Sequence, residues 1–228
     1  MKKTILSIVA GCAMICGAGA KTWTNNIGAG FSLPISQFGV DKSGADDIFQ
    51  LGYGIEATYL GFHENGFTVK ADVSGGLATS KDISIQDHST NLGVFYNFAV
   101  GAGYSFVRTQ KFTLSATAML GLDAASYSNS EDDIQYDGKD CENVSRNLTY
   151  TMFSAGADLF ASYKIKEHFG VFANISARYL VAGGTSQNVD WTWKDESGLK
   201  RKESAEGDGP DLKGKFRVQP TIGVVWNF

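Results

Sequence analysis

The chain has 228 residues, of which 43% are apolar and 19% charged, with 27 glycines and only 3 prolines. This composition excludes a disordered or collagen-like protein and suits one all-β domain of ordinary size. The formal net charge is −4, so the basic surface that nucleic-acid binding requires is missing, and we expect no nucleic-acid partner.

The N-terminus has the three parts of a bacterial export signal. Lys2–Lys3 forms a basic start, Thr4–Gly17 an apolar core, and Ala18–Ala20 the small-x-small pattern of a signal-peptidase site. We therefore predict a signal peptide over residues 1–20, with cleavage after Ala20. The alternative is a lipoprotein box ending at Cys12, which would make that cysteine a lipidated N-terminus after a very short apolar core.

Eight segments of the remaining chain alternate apolar and polar residues. Because successive side chains of an extended chain point to opposite faces, each segment presents one continuous apolar surface, as a β-strand does. The segments are Asn26–Ile35, Phe49–Tyr59, Phe67–Leu77, Leu92–Phe106, Phe112–Asp123, Phe153–Lys164, Phe169–Val181 and Phe216–Phe228.

The connections between these segments differ in length in a regular way. Short turns, such as the one containing Asn65-Gly66, follow the second, fourth and sixth segments. The other joints are long and polar, at about residues 36–47, 79–90, 126–147 and 182–214. Short turns at one end, long loops at the other and an even strand number predict an eight-stranded antiparallel up-and-down transmembrane β-barrel over residues 21–228. Most segments exceed the ~9–11 residues that a tilted strand needs to cross a bilayer.

The mature chain resembles the small eight-stranded outer-membrane barrels of bacteria, the class that includes OmpX, OmpW, the OmpA transmembrane domain and the opacity proteins. The last strand carries the most specific element, since its apolar side ends on an aromatic C-terminal residue, similar to the insertion signal of that class; its residues are Ile222, Val224, Trp226 and Phe228. The resemblance implies a location in the outer membrane with both termini periplasmic. It also implies contacts with outer-membrane lipids and with the outer-membrane assembly machinery.

A soluble eight-stranded barrel such as a lipocalin is the structural alternative. Its apolar side would point inward around a ligand, and its outer side would carry many charged residues. In this chain the polar side of the segments is instead rich in glycine, which suits a narrow lumen. Aromatic residues at the segment ends also fit the two membrane interfaces. Pro220, in the middle of the last strand, cannot donate to the ladder, so we expect a bulge or local unpairing there.

The predicted lumen side of the segments carries four acidic and four basic residues. Enclosed charges must be paired or hydrated, and eight strands leave just enough room for side chains. We therefore predict a salt-bridge and hydrogen-bond network that fills the lumen, with a charged constriction of a pore as the alternative. The residues are Glu56, Lys70, Asp72, Asp123, Asp158, Lys164, Arg178 and Arg217.

The long loops carry the remaining candidates for function. Trp191 and Trp193 share one side of the last loop and are expected to offer an aromatic contact surface. Cys141, left without a partner once the signal peptide is removed, is either a free thiol or an intermolecular link. His88 lies beside Ser89, but neighbouring strand residues point apart, which disfavours Ser–His catalysis. We predict no catalytic, cofactor or metal site.

These observations favour a non-enzymatic outer-membrane protein that acts in envelope structure, adhesion or surface contact through its extracellular loops, with a host or surface ligand. The alternative is a narrow channel for ions or for small or apolar solutes. A lipid-modifying enzyme or a protease of the outer membrane is the third hypothesis.

Overall fold

The computed structural model describes residues 23–40, 48–81, 84–85, 88–89, 92–195, 197–208, 212–213 and 216–228. The predicted signal peptide and the Cys12 alternative lie outside the described residues.

The described residues contain thirteen β-strands. They are β1 (Trp23–Ser32), β2 (Ile35–Val40), β3 (Ile48–His63), β4 (Phe67–Lys81), β5 (Ser84–Ile85), β6 (His88–Ser89), β7 (Leu92–Arg108), β8 (Phe112–Tyr136), β9 (Lys139–Lys164), β10 (Phe169–Lys194), β11 (Lys200–Asp208), β12 (Leu212–Lys213) and β13 (Phe216–Asn227).

Eight of these strands form a closed ring in which every neighbouring pair is antiparallel. The order is β1, β3, β4, β7, β8, β9, β10 and β13, and the pairing of β13 with both β10 and β1 closes the ring. We call the end of the barrel with the short turns the turn end and the opposite end the hairpin end. The predicted eight-stranded antiparallel up-and-down barrel is therefore confirmed.

The two sides of the barrel wall have the reverse polarity of a soluble protein. Outward side chains are large, apolar and exposed, as at Ile55 (75% exposed) and Ile222 (68%), whereas the charged Asp72 and Arg178 are each 3% exposed inside. Because exposed apolar surface on this scale is stable only against lipid, the wall is that of a transmembrane barrel. In the described part of the chain there is no helix long and apolar enough to span a membrane.

Pro220 lies where the wall is locally unpaired, as expected. The amide of Leu33 donates to the Pro220 carbonyl at 3.0 Å, but proline has no N–H to return the second bond of the pair. At this point β1 ends at Ser32, and after two intervening residues β2 begins at Ile35 and pairs with β13 in the same register. On its other side Pro220 pairs regularly with Ile175, so the interruption is confined to one ladder.

The ranges predicted as loops 126–147 and 182–214 are mostly strand in the structure. β8 has 25 residues, and β9 and β10 have 26 each, so they continue well past the barrel wall. The connection between β8 and β9 is a two-residue turn in which Asp137 and Gly138 have positive φ angles of 51° and 72°, as a hairpin turn requires. The polar composition that indicated a loop belongs to strands with both faces outside lipid.

We predict that Gly101→Ala destabilises the barrel by about 1–3 kcal/mol, because overpacking in a filled interior forces the backbone apart. A Cβ at Gly101, on the lumen side of β7, would overlap the carbonyl oxygen of Ala118 and the sulfur of Met119. The matched control is Gly184→Ala in β10, where no atom lies within 4 Å of the added carbon. Urea titration of the folded fraction in vesicles measures both; equal midpoints would contradict the prediction.

Candidate functional site

Apolar side chains fill the lumen at the turn end. Phe160 and Phe172 stack with their ring centroids 5.4 Å apart, and both are almost fully buried. Three further buried side chains complete this cluster: Leu60, Phe62 and Val225. The end of the barrel nearest the short turns is therefore packed like a protein core.

The middle of the lumen is charged, and Lys70 lies at its centre. Its Nζ contacts Asp72 Oδ2 at 2.8 Å and Asp158 Oδ2 at 2.5 Å, with all three side chains buried. Arg178 Nη2 lies 3.6 Å from the same two oxygens, and Thr58 donates to Asp72 Oδ1 at 2.6 Å. Two cations thus lie between two carboxylates, an arrangement that compensates the cost of burying four charges.

A second group of charges continues the network toward the hairpin end. Arg217 forms an ion pair with Asp123 and a hydrogen bond with Gln219. The side-chain amide of Asn97 donates to Asp123 at 2.7 Å, and its oxygen accepts from Arg178 at 3.2 Å. Asn97 therefore joins the two groups into one network.

Glu56 enters this network without an ion-pair partner among the described residues. Gln219 Nε2 donates to its Oε2 at 2.6 Å and Thr221 Oγ1 donates to the same oxygen at 2.8 Å. Asn174 Nδ2 lies 3.5 Å from the other oxygen. The buried network thus has four acidic side chains and three basic ones, and neutral donors take the place of the fourth cation.

The structure brings together seven of the eight predicted lumen charges. Lys164 is the exception: it lies at the end of β9, is only half-buried and forms no ion pair with the described residues. Strand parity placed it on the lumen side correctly, but the last residue of a strand is too close to the barrel rim for its charge to be enclosed. The prediction of a buried network that includes Lys164 is wrong for that residue.

Another packed layer covers the network at the hairpin end. Tyr150 donates to Gln50 at 2.5 Å, and eight buried side chains form one apolar cluster: Ala78, Phe95, Ala125, Tyr127, Leu148, Tyr150, Met152 and Leu180. A cavity between this layer and Arg217 measures about 10 Å³, room for at most one water. In the described part of the chain, the lumen is thus filled from end to end.

We predict that Lys70→Met destabilises the barrel by about 3–5 kcal/mol, because it leaves Asp72 and Asp158 buried without their shared cation. The double variant Lys70→Met/Asp158→Asn should recover part of this loss, since Arg178 and Thr58 still satisfy Asp72. Lys164→Met is the control and should change the free energy of unfolding by less than about 0.5 kcal/mol. Urea titration measures all three; a single variant as stable as the control would contradict this role of Lys70.

Three strands of the ring, β8, β9 and β10, continue beyond it at the hairpin end and form an antiparallel sheet with β11, which we call the hairpin sheet. β8 loses its β7 neighbour after the Gly93–Tyr127 pair, and the pairing of β10 with β13 ends at Tyr179–Phe216. Beyond these points β8, β9, β10 and β11 pair in that order. The region outside the barrel is therefore a continuation of its wall.

The inner face of the hairpin sheet has an apolar core of its own. Its buried members are Cys141, Val144, Val189 and Trp191, with Ile134, Tyr136 and Trp193 packed against them. Trp191 is only 7% exposed, and its indole N–H donates to Glu203 at 3.1 Å. The expected aromatic contact surface at Trp191 and Trp193 is therefore wrong, since both rings stabilise the sheet.

A bulge in β10 explains why the tryptophans point inward. Up to Tyr179, odd-numbered residues of β10 face lipid, and the same parity would place Trp191 and Trp193 outside. The register against β9 shifts by one residue between Leu180 and Ala182, which moves all later odd-numbered residues to the inner face. The pair Gly183-Gly184 directly after the bulge is the signal in the sequence that could have indicated it.

Cys141 is a free thiol in the described structure. It is 2% exposed, and its sulfur lies 3.6 Å from the Lys139 carbonyl and 3.8 Å from that of Tyr136. Of the two expectations for this cysteine, the free thiol agrees with its burial, and an intermolecular link would require the hairpin tip to open.

Ion pairs fasten the tip of the hairpin sheet. Glu142 accepts from Lys194 at 2.6 Å and from Lys200 at 2.7 Å, and these two hydrogen bonds lower the pKa of its carboxyl. Lys139 contacts Glu203 at 2.6 Å and lies 4.4 Å above the ring of Trp193; the hydrogen bond from Lys139 lowers the pKa of Glu203. These contacts join β9 to both strands of the β10–β11 hairpin.

The turn between β10 and β11 is organised by one carboxylate. Asp195 accepts hydrogen bonds from the hydroxyl of Ser197 at 2.5 Å and from the amide of Leu199 at 3.0 Å, and Arg201 contacts it at 2.8 Å. These donors lower the pKa of Asp195 to about 2, so the turn keeps its carboxylate acceptor at mildly acidic pH.

The apolar residues of the C-terminal strand lie on the lipid side. Ile222, Val224, Trp226 and Phe228 are all exposed on the outer wall. The backbone of Phe228 exchanges two hydrogen bonds with Asn25, at 2.9 and 3.0 Å, so the chain is paired to its last residue. Its role as an assembly signal stays a prediction.

We predict that acidification loosens the tip of the hairpin sheet before the barrel. The pKa values of Glu142 and Glu203 are lower in the folded sheet than the ordinary 4.5. The two carboxylates therefore contribute fully to the stability of the tip above pH 4.5, and this contribution is lost as the pH falls through the folded-state pKa values. Amide hydrogen exchange of residues 139–146, corrected for intrinsic rates, should accelerate below pH 4.5 and hardly change between pH 8 and 5.5.

Glu142→Gln should weaken this pH dependence, whereas Glu206→Gln, at a position without an ion pair to the described residues, should leave it intact. Exchange that is independent of pH in the wild type, or equally pH-dependent in both variants, would contradict the role of Glu142.

Comparison with solved structures agrees with this fold. A major outer-membrane protein from Thermus thermophilus superposes with a TM-score of 0.53 at 13% identity, covering 88% of this chain and 99% of that one. The outer-membrane protein OprG from Pseudomonas aeruginosa gives a TM-score of 0.51 at 14% identity, covering 92% and 98%. The sequence matches no protein-family profile and no curated protein sequence.

Proposed function

We propose that this chain, an eight-stranded transmembrane barrel with the fold of small bacterial outer-membrane proteins, is a non-enzymatic surface protein. The hairpin end faces the outside of the cell, and the turn end and both termini face the periplasm. The hairpin sheet makes the contacts by which the protein acts in envelope structure, adhesion or surface contact.

One observation carries the proposal: the lumen is filled, while the wall extends far beyond the membrane. Apolar layers at both ends enclose the charged network, and the cavity beside it measures about 10 Å³. A path for solutes would need these layers to move. The extended strands β8, β9 and β10 instead hold a rigid surface away from the membrane, as a contact protein requires.

The order of the hairpin sheet also supports the surface role. A loop that must recognise a partner loses conformational entropy on binding, but the hairpin sheet is already ordered by its apolar core and by the ion pairs of Glu142 and Glu203. Its outer residues are therefore held in place before any contact forms. The proposal assigns no catalytic role to the chain.

The experiment shortens the hairpin without disturbing the barrel. Residues 130–145 are replaced by Asn-Gly, a two-residue turn that reconnects the paired Asn129 and Arg146. Bacteria displaying equal amounts of each form are tested for retention on mucin-coated plates and epithelial monolayers. We expect retention to fall at least about tenfold, the loss that corresponds to ~1.4 kcal/mol of contact energy.

The control variant carries Glu64→Ala and Lys166→Ala at the turn end and should be retained like the wild type. Unchanged retention of the shortened form, with a heat-modifiable band proving that it is folded, would contradict the proposal. Discrete conductance steps of the wild type in a planar bilayer would favour the channel hypothesis instead.

A further inference from the structure

The outer face of the hairpin sheet is a regular array of small polar side chains. Register places these residues in four rows across β8, β9, β10 and β11, and we call the array the polar face. The rows are Ser126, Thr149, Ser186 and Asp208; Ser128, Asn147, Asn188 and Glu206; Ser130, Ser145, Asp190 and Ser204; and Asp132, Asn143, Thr192 and Lys202. With strands about 4.8 Å apart and about 6.8 Å between alternate residues, the array spans roughly 14 by 20 Å.

The polar face continues the lipid-facing surface of the barrel. On β8, Ser126 and Ser128 follow the exposed Leu120 and Leu122 on the same side of the strand, and on β9 Thr149 precedes the exposed Phe153. The bulge after Leu180 brings the even-numbered residues of β10 to this side as well. The surface thus changes from apolar to polar along the same strands, at the level where the hydrocarbon ends.

Side-chain hydrogen bonds join β8 to β9 in each row of the polar face but leave some donor and acceptor positions open. The bonds are Ser126 to Thr149 at 3.1 Å, Ser128 Oγ to Asn147 Oδ1 at 2.6 Å, Ser130 to Ser145 at 3.2 Å and Asn143 Nδ2 to Asp132 Oδ1 at 2.7 Å. A hydroxyl has one donor and two acceptor positions, so one cross-strand bond does not saturate the hydroxyls of Thr149 and Ser145.

The charges of the polar face indicate which chemical groups at the surface of an outer membrane it can contact. Asp132, Asp190, Glu206 and Asp208 are acidic, and Lys202 is the one basic residue of the sixteen. Direct contact with phosphate groups is therefore unfavourable. The columns on β8 and β9 are mostly hydroxyl and amide side chains, which suit the hydroxyl groups of neutral sugars.

We infer that the polar face binds the neutral saccharide part of the glycolipids that surround the barrel in the outer leaflet. The inference rests on the proposed orientation, which puts the hairpin end outside. A saccharide attached to a membrane lipid lies next to this face because the wall below it is already in contact with the lipid chains. The glycolipid then contacts one continuous surface with its acyl chains and its sugars.

The test compares two glycolipids by native mass spectrometry of the refolded full-length barrel in detergent. One is lipid A alone, and the other is lipid A carrying a phosphate-free core oligosaccharide. The wild type should bind the second at least about fivefold more tightly, since one net hydrogen bond corresponds to about that factor. The variant Ser145→Ala/Asn147→Ala/Asn188→Ala should bind both equally.

A control variant, Glu64→Ala/Gln110→Ala/Lys166→Ala at the turn end, should keep the wild-type ratio, and the heat-dependent gel shift verifies that every form is folded. Equal wild-type affinity for the two glycolipids would overturn the inference, as would a polar-face variant that keeps the difference. Binding of the released oligosaccharide as tight as that of the whole glycolipid would overturn the assignment to membrane lipid.

These outcomes separate the inference from the proposed function. If the shortened form loses adhesion but the wild type shows no saccharide preference, the surface role is supported and the glycolipid site is contradicted. A saccharide preference without any adhesion would support the site and contradict the adhesive role.

Discussion

The whole structure depends on one constraint, that every backbone N–H and C=O within the hydrocarbon must be hydrogen-bonded to another part of the chain. The ring meets it because β13 pairs with β1 on one side and β10 on the other. Closure with eight strands makes the lumen narrow, and on the lumen side of β7 a Cβ at Gly101 would overlap the carbonyl oxygen of Ala118 in the neighbouring strand β8. It also brings Lys70, Asp72 and Asp158 within contact distance, although Asp158 is 88 residues from Lys70 in sequence.

The sequence predicts the barrel well because the two-residue repeat of a strand and the exposure of one strand face to lipid produce the same alternating pattern of apolar and polar residues. Each lipid-facing side must be apolar over its full length, so alternation identifies the strands, and parity alone places Asp72 and Arg178 inside. The hydrogen-bond partners of the buried charges cannot be predicted in this way, since Asn97, Gln219 and Thr221 are ordinary polar residues on the lumen-facing side of their strands. Their role follows from the register between strands, which periodicity does not specify.

The prediction is weakest where the wall leaves the membrane. Outside lipid both faces of a strand are allowed to be polar, so residues 126–147 lack the alternation that marks a strand and were expected to form a loop. The bulge at Leu180–Ala182 then reverses parity, and one extra residue decides whether Trp191 is a contact residue or a core residue. Such a shift depends on the pairing partner, β9, and is not encoded in the alternation of β10 alone.

The length of β9 also has a mechanical consequence. Its 26 residues run as one strand from the hairpin tip to the turn end, a span of roughly 85 Å at about 3.3 Å per residue. A force that pulls on the tip acts along the strand and is shared by the ladders with β8 and β10, which must shear together for the sheet to separate. A load applied at the cell surface is thereby transmitted to the full height of the barrel, and the lipid-embedded wall anchors the tip.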